Sequence, residues 1–183
     1  MEDPGNLAWN IFSELRKELV EAQRIRAQLI GFKITFVGTA VGLIVANQSA
    51  VSLALLAVPA VAAVFFDLLI VGYNVSILRI GFYCLMHVEP ILRVQGHWPA
   101  DALLWEEFMH QSGLRGVRPA LANLGLTALA VALGVISTLR TVPIGYGVSC
   151  SLILIGLFSL DCLAHLRLPP LLRKAVRMGS LPK

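Results

Sequence analysis

LIGFKITFVGTAVGLIVA, residues 29–46, is followed by Asn47-Gln48-Ser49 and then by AVSLALLAVPAVAAVFFDLLIV, residues 50–71. The reading of this stretch decides the fold. A helix must hold about 20 mostly apolar residues to cross a hydrocarbon core of ~30 Å. Each run meets that requirement, and the three uncharged residues between them leave room only for a tight reversal. The stretch therefore predicts a transmembrane hairpin, with Lys33 near the start of its first arm and Asp67 near the end of its second.

The same pattern recurs downstream. Residues 119–139 carry no charge, and residues 143–163 carry only Asp161, near their end. Arg140, Thr141 and Val142 join these two runs, which predict a second hairpin. The whole chain fits this picture, with 57% of its 183 residues hydrophobic and 14% charged, against roughly 25% charged in soluble domains. Residues 1–28 are polar with a helical pattern, unlike a signal peptide, so the run beginning near Leu29 is expected to remain as an anchor. Cys84, Cys150 and Cys162 form no CxxC pair and suggest no disulfide framework.

Orientation follows from the basic residues. Fourteen of the 15 Lys and Arg precede or begin the first span, lie between the second and third, or follow the fourth; only Arg140 lies on the other side. By the positive-inside rule that side is cytoplasmic. The expectation is an all-α integral membrane four-helix protein, made of two hairpins with cytoplasmic extensions, placed in a bacterial inner membrane with both termini inside. A fifth span over residues 73–88 is conceivable. It would set Arg79 near mid-bilayer and separate the two basic termini, so a cytoplasmic helix continuing the second span is preferred, with a bend at Gly72 or Gly81.

Residues 6–28 read as an amphipathic helix running straight into the first span, with Asn6 as its N-cap. Phe12, Leu15, Leu19, Ala22, Ile25 and Leu29 mark its apolar face. That face packs on residues 73–118 of the same chain, docks an oligomer or partner, or lies flat on the membrane, to which its mixed-sign polar face is poorly matched. Within 72–118, Glu89-Pro90 is expected to disturb the helix and Pro99 to open a short one ending at Gly113. Trp98 and Trp105 suit either the headgroup level or a cytoplasmic core. Pro169-Pro170 is expected to end the last helix, leaving a basic tail over 164–183.

Three constellations are candidate sites. Lys33, Asp67 and Asp161 each stand near the cytoplasmic end of a span, where an ionisable group is costly unless paired. They form either a structural ion pair or part of an ion path or gate. Small-residue spacing appears at Gly38 and Gly42 and again at Ala130 and Gly134, and such spacing lets helices approach closely. Packing within the bundle is the plainer explanation and contact between subunits the alternative. Pro59 is expected to act as a kink or hinge. His87, Glu89, Glu107 and His110 are weak metal candidates. Glu107 and His110 have the ExxH spacing of di-metal bundles, yet no second ExxH accompanies them. No glycine-rich phosphate loop or nucleophile elbow is present, and no cofactor or nucleic acid is expected.

The function expected first is non-enzymatic. The chain would self-assemble through its spans and couple a cytoplasmic helical region to the bilayer, as a pore-forming or gated membrane effector. The alternatives are an accessory subunit of a larger membrane complex, a metal-dependent membrane enzyme and, in dimeric form, a solute transporter. Expected partners are the lipid bilayer, further copies or other membrane subunits, and a cytoplasmic protein contacting residues 6–28 and 73–118.

Overall fold

The apolar runs are rich in Leu and Ala, and a helix satisfies all their backbone donors and acceptors without an external partner. In the computed structural model they are helical apart from residues 50–52 and Pro143, at the starts of the second and fourth runs. The structure describes residues 4–95 and 117–179, and among these no residue lies in a β-strand. Helix α1 covers Pro4–Ala46, α2 Ala57–Tyr83, α3 Glu89–Gln95, α4 Val117–Thr141 and α5 Ile144–Gly179. Four helical stretches among the described residues are long and apolar enough to cross a membrane: Trp9–Ala46, Leu53–Gln95, Ala122–Thr141 and Ile144–Arg167.

The boundaries correct several expectations. Helix α1 begins at Pro4, so Asn6 lies inside the helix and is not its N-cap; proline at a helix start forfeits no hydrogen bond, because that N–H has no intrahelical acceptor. The first reversal is longer than Asn47-Gln48-Ser49. Asn47 closes α1 by donating from its side chain to the Leu43 carbonyl at 2.8 Å. Ser52 then caps a 3₁₀ turn over Leu53–Leu56, its hydroxyl accepting from the Ala54 amide at 3.3 Å. Pro59 stands in the first turn of α2, fully buried, rather than in mid-span. At the second reversal, Arg140 and Thr141 still belong to α4, and only Val142 and Pro143 separate it from α5.

Residues 73–88 continue α2 with no turn at Gly72 or Gly81. The disturbance expected at Glu89-Pro90 falls just ahead of it, as a π-helical segment over Cys84–Val88. Pro90 has no N–H and its ring crowds the carbonyl four residues back. The chain widens before it, and the Glu89 amide donates to the Cys84 carbonyl, five residues back. Pro169-Pro170 does not end α5, which runs through both prolines to Gly179. Two amide donors are lost there, but the φ that proline imposes is itself helical. The short helix expected after Pro99, with Trp98, Trp105, Glu107 and His110, lies outside the described residues.

The residues group into two compact units. The first comprises residues 1–25, 73–116 and 169–183. Within it Leu19 and Ala22 of α1 are buried, and Phe12, Leu15 and Ile25 half-buried, so the apolar stripe read from the sequence is the covered face. The second unit comprises residues 26–72 and 117–168. Its core is Val37 of α1, Ala60, Ala63 and Val64 of α2, Ala130 and Val131 of α4, and Leu154 of α5. Its outer surface is reversed relative to a soluble domain. Phe32, Leu43, Leu129, Leu152 and Leu160 are exposed, whereas Lys33, Asp67 and Asp161 have no exposed area at all.

The two small-residue pairs meet different ends in this unit. Ala130 is buried. A Cβ added at Gly134 would stand 3.2 Å from the Ala60 Cβ, 3.3 Å from the Leu154 Cδ1 and 3.3 Å from the Leu56 carbonyl oxygen. Gly134 thus sets how closely α4 approaches the start of α2. Gly38 and Gly42 on α1 are exposed, and among the described residues nothing lies within 4 Å of a Cβ added at either.

Candidate functional site

Lys33 is placed by α1, Asp67 by α2, and Asn123 and Thr127 by α4, one helical turn apart on the same face. The Lys33 ammonium donates to Asp67 Oδ1 at 2.7 Å, to the Asn123 carbonyl at 2.8 Å and to Asn123 Oδ1 at 3.0 Å. All three of its hydrogens are thereby engaged. The Asp67 carboxylate also accepts from the Asn123 side-chain amide at Oδ1 and from the Thr127 hydroxyl at Oδ2. Lys33, Asp67 and Thr127 are fully buried. Three helices are therefore tied together by one ion pair whose polar atoms are nearly all satisfied, the condition under which a buried pair is tolerated.

Asp161 of α5 is also fully buried, and its charge acts on both Lys33 and Asp67. One turn further on α5, His165 Nδ1 lies 3.1 Å from Asp161 Oδ1 and 3.1 Å from the Asp161 carbonyl oxygen. The three charges picked out by their rarity in apolar runs thus belong to one polar cluster. Asn123, Thr127 and His165 were missed. Asn123 and Thr127 are i and i+4 on an otherwise apolar helix, and Asp161 and His165 share that spacing; these are the sequence signals that would have found them.

A second polar layer lies ten residues along α4 from Thr127, about 15 Å at the helical rise. The Ser137 and Thr138 hydroxyls donate to the Gly134 carbonyl at 2.9 and 3.0 Å, and the Thr138 and Ser151 hydroxyls meet at 3.2 Å. Ser137, Thr138 and Ser151 are buried. Close by, a Cβ on Gly147 would come within 3.0 Å of the Thr138 carbonyl oxygen. Ala130 and Val131, members of the apolar core, stand on α4 between the charged layer and the hydroxyl layer.

Of the four weak metal candidates, only His87 and Glu89 fall among the described residues. No group of three or more His, Cys, Asp or Glu side chains able to hold a metal is present among the described residues. His87 is exposed and its ring centroid lies 5.1 Å from that of Tyr83, while Glu89 is buried. Glu107 and His110 lie outside the described residues. The chain matches no family model, no curated protein and no solved structure.

Proposed function

We propose that the chain is a multi-pass, non-enzymatic membrane protein that self-assembles through its first span and couples a cytoplasmic helical region to the bilayer. Its four spans form two hairpins, with both termini and nearly all basic residues on the cytoplasmic side. The Lys33–Asp67 node is the lock of a gate: it fixes α1 to α2 and α4, and opening it would free the span that carries the assembly face.

The observation that carries this reading is the open face at Gly38 and Gly42. Small residues four apart draw helices together in lipid, where helices have no hydrophobic incentive to associate and close backbone approach supplies the attraction. The pair at Ala130 and Gly134 is used up inside the chain, whereas that at Gly38 and Gly42 is not. A second copy is the simplest occupant.

The test is native mass spectrometry of the full chain in nanodiscs, beside dye release from vesicles carrying it. A closed homo-oligomer that dissociates in Gly38→Leu/Gly42→Leu, with loss of dye release, is expected. A wild-type monomer that releases no dye overturns the reading. A chain recovered only with a stoichiometric unrelated subunit would assign the same face to a larger complex.

A further inference from the structure

Asp161 is fully buried, yet neither of its carboxylate oxygens accepts a hydrogen bond from the described residues. The contact with His165 does not supply one. Nδ1 is 3.1 Å from both the carbonyl and Oδ1, and only the contact with the carbonyl has hydrogen-bond geometry. Since a carbonyl only accepts, Nδ1 carries a hydrogen in this contact. The neighbouring pair, Lys33 with Asp67, has its hydrogen bonds almost complete; this carboxylate has none.

The charges around it do not balance. Lys33 from α1 and Asp67 from α2 cancel each other. The groups contributed by α4, Asn123 and Thr127, are uncharged. On α5 itself stand Asp161, His165 and the thiol of Cys162, on which Asp161 also acts. With imidazole and thiol neutral, the described residues of the cluster carry one surplus negative charge, on a carboxylate with no exposed area. An isolated buried charge of this kind is strongly unfavourable, and such sites close to neutrality by taking up a positive one. His165 keeps 7% of its side chain exposed and Asp161 none, so the imidazole is the member of the pair that a proton would reach first.

We propose that Asp161 and His165 form a proton-binding site, holding one proton between carboxylate and imidazole beside the Lys33–Asp67 ion pair. With the proton in place, Asp161 makes no claim on Lys33 and the node stays closed. When it leaves, two buried carboxylates compete for one ammonium, and the contact of α1 with α2 and α4 weakens. Proton occupancy and closure of the node are thereby linked, and linkage requires that opening the node favour release in turn. The site stands on burial and charge alone and needs no conduit, so failure of the dye-release test would leave it intact.

The experiment is infrared difference spectroscopy of the full chain in nanodiscs between neutral and alkaline pH, with labelled aspartate carboxyls and histidine rings. Wild-type protein should release one proton, seen as loss of a carboxylic acid or an imidazolium band. That signal should vanish in Asp161→Asn. It should also vanish in Asp67→Asn, because Lys33 then neutralises Asp161 unaided. His165→Gln, at the edge of the cluster, should move the signal wholly to the carboxylic acid band. The proposal is overturned by a titration unchanged in Asp161→Asn, or by loss of the proton signal altogether in His165→Gln. A wild-type signal that follows sodium concentration at fixed pH would replace the proton with a small cation and overturn it equally.

Discussion

Replacing Lys33 by Met should be more damaging than replacing Asp67 by Asn, and the geometry of the node says by how much. Removing one partner of a buried ion pair costs about 3–5 kcal/mol, because the other is left uncompensated. In Lys33→Met the Asp67 carboxylate keeps its bonds from Asn123 and Thr127. It loses the only Lys or Arg that the described residues bring to the node, however, with a second carboxyl, Asp161, buried beside it. The cost belongs at the upper end, ~5 kcal/mol. In Asp67→Asn the Lys33 ammonium still has the two Asn123 oxygens at 2.8 and 3.0 Å, and Asp161 becomes its counter-charge. The cost belongs at the lower end, ~3 kcal/mol. Replacing both, as Lys33→Met with Asp67→Asn, removes the desolvation cost with the attraction and should return stability to within about 1–2 kcal/mol of wild type. The assay is steric-trap unfolding of the purified chain in bicelles, read as a double-mutant cycle. Equal costs for the two single variants, or a double variant as unstable as their sum, would refute the argument that Asp161 takes over as the partner of Lys33 when Asp67 is replaced.

Three other outcomes are expected. Gly134→Val should destabilise by about 1–3 kcal/mol through overpacking, since one neighbour of the new side chain is the Leu56 backbone, whereas Gly38→Val should leave monomer stability unchanged; unfolding in bicelles decides both. Ser151→Ala, which removes the hydroxyl contact with Thr138 at 3.2 Å, should cost only ~0.6 kcal/mol, as is typical of such bonds in membranes. Cysteines placed at Asn47 and Val142, in a chain freed of its own three, should react with an impermeant reagent added outside intact cells, and one placed at Lys17 only after permeabilisation; the reverse pattern would invert the proposed topology.

The charged half of the node was legible because lysine and aspartate are conspicuous in an apolar run. Lys33, Asp67 and Asp161 could be named before any coordinate was known. The neutral half was not: Asn123 and Thr127 are ordinary residues of a polar-tolerant helix end, and only the facing Asp67 gives them a role. The two small-xxx-small pairs look alike in sequence and end oppositely, since what fills the space beside a glycine is decided by other helices. Proline was the least reliable guide. Pro59 marks a helix start, Pro90 acts through the residues before it, and Pro169-Pro170 does not stop α5, because the ring constrains one φ and removes one donor but does not forbid helix on either side.

The wide turn at Cys84–Val88 amounts to one residue more than a regular helix would hold. Each residue of an α-helix advances the winding by about 100°. Glu89–Gln95 is therefore turned by about that angle relative to an uninterrupted continuation of Tyr73–Tyr83. Losing a single residue within 84–88 would restore the ordinary winding and bring a different side of Glu89–Gln95 to the front, leaving every apolar run at its full length. At this one point the chain can gain or lose a residue and re-aim the segment that follows. Variation in length among descendants of this chain should collect there, while insertions within the four apolar runs should be purged.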